Sequence, residues 1–207
     1  MIHITTQICS SLLVATHHHS SPLITTHNYS SLLSTLYFVH RFVNNNMKQL
    51  LLVRHGKAED HSAVSQDFDR RLVERGRRDV SGLAALVNAV PFAPSLIVSS
   101  AAPRAKETAE ILAQEVLSLP ALVLQPSLYL ASAPALLHMI DQLSDDHDAV
   151  IIVAHNPGIR DAAAILSAEF LPSFPTAGAV LVSFECELWA GCEYVGAGSV
   201  RHFFPER

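Results

Sequence analysis

The chain has 207 residues, 49% of them hydrophobic and 16% charged, a composition that builds a packed core and excludes a disordered or fibrous chain. Its formal net charge of −5 argues against a general nucleic-acid binder, and no uninterrupted apolar run is long enough to span a membrane. The three cysteines, Cys9, Cys186 and Cys192, show neither metal-ligand nor redox spacing, so no disulfide framework is expected. A reducing compartment, the cytoplasm, is the simplest setting.

Composition changes at Met47. Residues 1–46 contain no Asp or Glu, a single basic residue (Arg41) and half of the twelve histidines. Their apolar stretches are too broken for a secretory signal, and one arginine is too few for a mitochondrial transit peptide. The expectation is a natural start at Met47, with 1–46 a disordered extension and 47–207 the functional domain. Within the extension, His17-His18-His19 has no nearby Cys or carboxylate to complete a metal site. No metal or other cofactor is expected.

From Met47 onward, strands and helices alternate. Leu50–Val53 is a short apolar run suited to a strand buried on both faces. Residues 73–89 read as a helix with Val80, Leu83 and Val87 on one side. Leu96–Val98 is the next strand, and Pro103 then opens a helix, a position proline favours. Leu122–Leu124 is a third strand, 136–143 a helical stripe, and Val150–Val153 a fourth strand. Asn156-Pro157 reads as an N-cap and first residue of a helix carrying Ile159, Ala162, Ala163 and Leu166. Residues 179–185 and 194–204 read as two further strands. Repeated strand–helix units predict an α/β, three-layer sandwich with a mainly parallel central sheet and helices on both faces. Such sheets bind ligands beyond the carboxyl ends of their strands.

Two of those ends carry histidines. Arg54-His55-Gly56 follows the first strand and His155 follows the fourth. Arg104 stands in the first turn of a helix, where free backbone N–H groups also favour anions. Arginine suits a phosphoryl group, because its fork pairs bidentately and keeps its charge. A neutral imidazole nitrogen of His55 can attack phosphorus and carry the group as phosphohistidine. Its other nitrogen must then be held by a hydrogen bond that fixes the tautomer. Gly56 would let backbone approach the ring. His155 can stabilise the equatorial oxygens. Ser99 or Ser100, and Asn156, are candidate phosphate contacts. Each residue alone has an ordinary structural explanation; their joint occurrence in matching contexts is what points to one site.

The residues that carry this chemistry also carry a family resemblance. Leu52-Val53-Arg54-His55-Gly56-Lys57-Ala58-Glu59 resembles the signature of the histidine phosphatase (phosphoglycerate mutase-like) superfamily. Val98-Ser99-Ser100 through Arg104-Ala105 and Thr108 resembles its second-arginine motif, and Val153-Ala154-His155-Asn156-Pro157 its second-histidine motif. Asp69-Arg70-Arg71-Leu72, followed by Gly76, is similar to the corresponding segment of the small SixA-type branch. The resemblance spans 47–207. It implies the phosphoglycerate mutase-like fold, with His55 as nucleophile and Arg54, Arg104 and His155 completing a metal-independent phosphate pocket.

The chain departs from the family pattern in one way that bears on substrate. Mutase-like members place a catalytic glutamate between the second arginine and the second histidine, but no Asp or Glu occurs from Val116 to Ile140. Leu130 stands where several SixA-like relatives show a carboxylate. An alkoxide leaving group gains roughly 10²–10⁴-fold from a general acid, whereas a protonated phosphoramidate needs none. The expected substrate is therefore phosphohistidine in a protein, as in the SixA branch. A phosphatase of small phosphate esters is the first alternative, with Glu59, Asp60, Asp67 or Asp69 supplying the acid. A non-catalytic phospho-binding module is the second.

Overall fold

The computed structural model describes residues 47–60, 66–192 and 196–205. The expectation for 1–46 lies outside the described residues. Six strands make one sheet: β1 Lys48–Arg54, β2 Leu96–Ser99, β3 Ala121–Leu124, β4 Ala149–Ala154, β5 Ala179–Phe184 and β6 Ser199–Phe203, in the order β3-β2-β4-β1-β5-β6. The four strands from β3 to β1 pair in parallel, and β5 and β6 are added antiparallel. The central strands β1, β4 and β5 are buried almost throughout, as their continuous apolar runs require.

Alternation along the strands divides the core into two layers. Leu50, Leu52, Val150, Ile152, Val180 and Val182 pack against α3 (Ala133–Asp141) and α4 (Gly158–Ser167). Leu51, Val53, Ile97, Ile151 and Val153 pack against α1 (Glu74–Asn88) and α2 (Pro103–Glu115). The expected three-layer sandwich is therefore present, with two helices on each face. The strand pairing also fixes where the histidines fall. In the parallel β1–β4 ladder Arg54 is level with Ala154, so the next residues, His55 and His155, leave the sheet side by side. β2 flanks β4 on its other edge, with Ser99 level with Val153 and the Ser100 N–H donating to Val153 O at 3.0 Å.

Three local readings are corrected. Asn156 does not cap α4: the helix begins at Gly158, the Asn156–Pro157 peptide is cis, and the Asn156 side chain donates to Phe174 O at 3.1 Å. Gly56 is small because of α1, not because of the His55 ring. A Cβ there would lie 2.9 Å from Gly76 O, and one on Gly76 would lie 2.1 Å from Lys57 O. The paired glycines let the loop after β1 lie directly on the first turn of α1. Finally, Cys186 and Cys192 are joined as a disulfide. The intervening turn is anchored by Trp189, whose indole N–H donates to His147 O at 2.7 Å and whose backbone N–H donates to Asp145 Oδ1 at 2.8 Å. That turn brings the two Cα atoms to 6.4 Å, a proximity the six-residue spacing does not reveal. With two of the three cysteines paired, cysteine usage no longer argues for a reducing compartment. No helix among the described residues is long and apolar enough to cross a membrane.

Candidate active site

The site is built at the carboxyl ends of β1, β4 and β2. The His55 and His155 rings lie 5.0 Å apart between centroids, and both residues are buried, at 7% and 2% exposure. His55 Nδ1 is 2.7 Å from Gly56 O. A carbonyl can only accept, so Nδ1 carries the proton and Nε2 carries the lone pair. The Gly56 N–H donates in turn to Thr108 Oγ1 at 3.0 Å, and the Thr108 hydroxyl donates to Arg104 O at 2.7 Å. This chain ties the loop that orients His55 to the helix that bears Arg104.

Arg104 is buried, and its whole guanidinium fork is engaged. Nε donates to His55 Nε2 at 3.3 Å, Nη1 to Asp67 O at 2.6 Å, and Nη2 to Asp67 Oδ2 at 2.9 Å. Asp67 lies in a short 3-10 turn, Asp67–Asp69, in the loop between β1 and α1. Its other oxygen accepts from Arg70 Nη1 at 2.9 Å, and its Oδ2 also accepts from the Tyr129 hydroxyl at 2.9 Å. Arg54 donates through Nη1 to Phe174 O at 2.8 Å. Arg54 Nε, His155 Nδ1 and Asn156 Oδ1 are buried with no hydrogen-bond partner among the described residues. His155 Nε2 is 2.8 Å from Ser100 Oγ, which itself accepts from the Ala102 N–H at 3.3 Å. With Nδ1 carrying the ring proton, the Ser100 hydroxyl donates to His155 Nε2; with Nε2 carrying it, Ser100 Oγ accepts.

All four principal residues read from the sequence meet here. Of the two serines, Ser100 reaches His155, while the Ser99 hydroxyl donates to Ser100 O at 3.1 Å. Asn156 is adjacent, held by Phe174 O beside Arg54. Tyr129 was missed. The sequence pattern draws attention to Leu130, but Leu130 has a left-handed backbone (φ 49°) and is 54% exposed. Tyr129 is the residue turned inward, 5.4 Å from the His155 ring and edge-on to it. Outside the site, Arg160 pairs with Asp161 at 2.7 Å, consistent with a surface role. Among the described residues no group of three or more His, Cys, Asp or Glu could hold a metal ion.

Burial dominates the electrostatics. It pushes His55 down to about 3, aided by the neighbouring His155, Arg104 and Arg54 and opposed by the Gly56 carbonyl. Burial, Arg104 and Arg54 likewise lower His155 to about 4. Both rings are thus neutral near pH 7, and His55 keeps its nucleophilic lone pair. Burial tends to raise Asp67, but hydrogen bonds from Arg70 and Tyr129 and the charge of Arg104 outweigh it, so the carboxyl lies well below the usual range. Burial and Asp67 raise Tyr129, keeping its hydroxyl protonated. Burial, then Arg70, lowers Arg54, making its charge costlier to hold without an anion.

These shifts set a pH dependence of stability. Unfolded histidines titrate near 6.5, so between there and about 3–4 the unfolded chain binds protons that the folded protein refuses. Stability is full above pH 6.5 and falls as the pH drops toward 4, by on the order of 3 kcal/mol per histidine. Asp67 adds loss in the same direction at still lower pH. Urea unfolding at pH 7 and pH 4.5 should show a clear drop in midpoint, smaller in His155→Asn. A midpoint unchanged between the two pH values would contradict these assignments.

Known proteins align with this architecture. Residues 50–126 match the model of the histidine phosphatase superfamily (branch 1). An uncharacterized chloroplastic protein of Arabidopsis thaliana is 28% identical over 129 residues, covering 58% of this chain. The chain thus spans about three fifths (59%) of the length of that curated relative. Among solved structures, a protein assigned as phosphohistidine phosphatase SixA from Agrobacterium tumefaciens is 26% identical, with a TM-score of 0.60 over 66% of this chain and 92% of its own. Another protein so assigned, from Nakamurella multipartitia, shares the fold with a TM-score of 0.66 at 20% identity, covering 77% of this chain and 96% of its own.

Proposed function

The chain belongs to the histidine phosphatase superfamily, and on that premise we propose that it is a phosphatase acting through phospho-His55, with phosphohistidine in proteins as its substrate. The observation that carries the first half is the Nδ1–Gly56 O bond, which leaves Nε2 of a neutral, buried His55 as the attacking atom. Arg54, Arg104 and the Nδ1–H of His155 receive the phosphoryl oxygens, and Asn156 and Ser100 support them. Arg54 Nε and His155 Nδ1 are buried with no hydrogen-bond partner among the described residues.

The protein's own residues account for the chemistry as follows. His55 Nε2 forms a bond to phosphorus while the bond to the leaving nitrogen breaks, and the leaving imidazole takes the electron pair. When that imidazole carries a proton on its other nitrogen, it departs neutral, and His55 becomes the phosphorylated cationic ring with Nδ1–H still on Gly56 O. Water then forms the new P–O bond, the P–Nε2 bond breaks, Nε2 regains its lone pair, and both protons of the water leave with the product as dihydrogen phosphate. No proton need be delivered in the first step. An alkoxide leaving group would require one, and among the described residues the site holds no protonated carboxyl to give it. The Asp67 carboxyl is ionised, and Leu130, where several SixA-like relatives show a carboxylate, is exposed.

The test is hydrolysis of a phosphohistidine protein, a sugar phosphate and an aryl phosphate, with EDTA present. Release from phosphohistidine is expected to exceed release from the sugar phosphate by at least about 10²-fold in kcat/KM, the benefit of an acid that is absent. Preference for the sugar phosphate would replace this reading with an esterase one. Binding of phosphate without turnover of any substrate would favour a phospho-binding module.

A further inference from the structure

Asp67 occupies an unusual place for an anion site. Its carboxylate lies on Arg104 at 2.9 Å, the same guanidinium whose Nε faces the nucleophilic nitrogen of His55 at 3.3 Å. Any phosphoryl group held between His55 and Arg104 therefore comes close to a fixed carboxylate, whose charge is shared by Arg104 and Arg70. For a free phosphate, or an ester with a neutral or anionic leaving group, that proximity is repulsive. For a phosphoryl group attached to a cation, the cation offsets part of that repulsion and is itself drawn to the carboxylate.

The surroundings of Asp67 suit a flat cation. Phe68 follows it in the same turn, 37% exposed, and stands edge-on to Tyr129 with ring centroids 5.0 Å apart. Tyr129 is in turn edge-on to His155 at 5.4 Å. An aromatic wall thus runs outward from the candidate catalytic histidine to the surface, with the carboxylate bonded to its middle ring at 2.9 Å. Aromatic faces attract cations, and a carboxylate accepts from a ring N–H⁺. An imidazolium offers both features.

We propose that Asp67, Phe68 and Tyr129 form a leaving-group subsite that selects a protonated, planar nitrogen leaving group and disfavours phosphate esters. This rests on the proposed phosphohistidine activity and names the residues that enforce it. Asp67 holds the substrate ring in its protonated form, the form that leaves as neutral imidazole. Asp67 also weakens the hold on the product, inorganic phosphate, through like charge.

The experiment compares kcat/KM for a phosphohistidine peptide and for acetyl phosphate, whose leaving group is anionic, has no ring and needs no acid. It uses the full chain, with Asp67→Asn and Phe68→Leu as variants, and measures inhibition by inorganic phosphate alongside. Asp67→Asn should lower phosphohistidine kcat/KM by about tenfold or more, the effect of one charge-assisted hydrogen bond, while acetyl phosphate hydrolysis rises and phosphate inhibits more tightly. Phe68→Leu should lower phosphohistidine hydrolysis several-fold more than acetyl phosphate hydrolysis. A merely structural role for Asp67, holding Arg104 in place, would reduce both substrates alike and weaken phosphate binding. That result, or no change in the ratio in either variant, overturns the subsite. If instead the wild type hydrolyses acetyl phosphate through His55 but not phosphohistidine, the substrate reading itself fails, and the subsite with it.

Discussion

His55→Ala is expected to lose about 10⁴-fold in kcat/KM, on the order of 5 kcal/mol of transition-state stabilisation, because it removes the group proposed to form the covalent intermediate. Arg104 Nε would lose its acceptor, and Ser100, already bonded to His155, offers no replacement nucleophile. The fold should survive. The same substitution removes a buried ring that resists protonation down to about pH 3, so the variant should hold its stability better than the wild type as the pH falls from 6.5 toward 4. Loss of activity with gain of acid stability is the signature of a residue kept for chemistry at a cost to the fold. Parallel activity assays and urea unfolding at pH 5 would check both halves. Retention of more than a few per cent of activity would remove His55 from the nucleophile role.

Arg104→Ala should cost about 10³–10⁵-fold, the range found where an arginine stabilises charge on a transferring phosphoryl group. Arg104→Lys should recover little of it. The three nitrogens of the fork have separate tasks: Nε faces His55, Nη1 holds the Asp67 carbonyl and Nη2 holds its carboxylate. A lysine ammonium is a single point of charge and cannot span all three. Arg104→Ala also removes one of the two arginines that pair with Asp67, which deepens the loss. Steady-state kinetics on the lysine variant decide the matter. Activity within about threefold of wild type would mean that charge alone, not the fork, is needed.

Much of the site could be read before any coordinates. Leu50–Val53 and Val150–Val153 are uninterrupted apolar runs, and such runs become central parallel strands. Once both are parallel neighbours, residues that follow them by the same offset must meet, and His55 and His155 do. Arg104 follows Pro103 into the first turn of its helix, where proline's fixed φ marks the start. What stayed hidden depends on backbone geometry that no local pattern encodes. Neighbouring residues of an extended segment face opposite ways, so Ser99 and Ser100 could be told apart only from the register of β2 against β4. The left-handed turn at Leu130 reverses which of two adjacent side chains faces inward, exchanging a leucine for Tyr129. Asp67 reaches Arg104 only because the loop after β1 is drawn back onto α1 at the Gly56–Gly76 contact. The Cys186–Cys192 pairing likewise comes from a turn set by Trp189, not from the spacing.

The proposed mechanism requires a covalent phosphate at one nitrogen. The direct measurement is to quench the protein with alkali during turnover of a phosphohistidine substrate and locate the phosphate by mass spectrometry. The prediction is an alkali-stable, acid-labile phosphate on His55 that forms and decays no slower than turnover and is absent from His55→Ala. Phosphate on His155, on Ser100 or on no residue while product accumulates would contradict it.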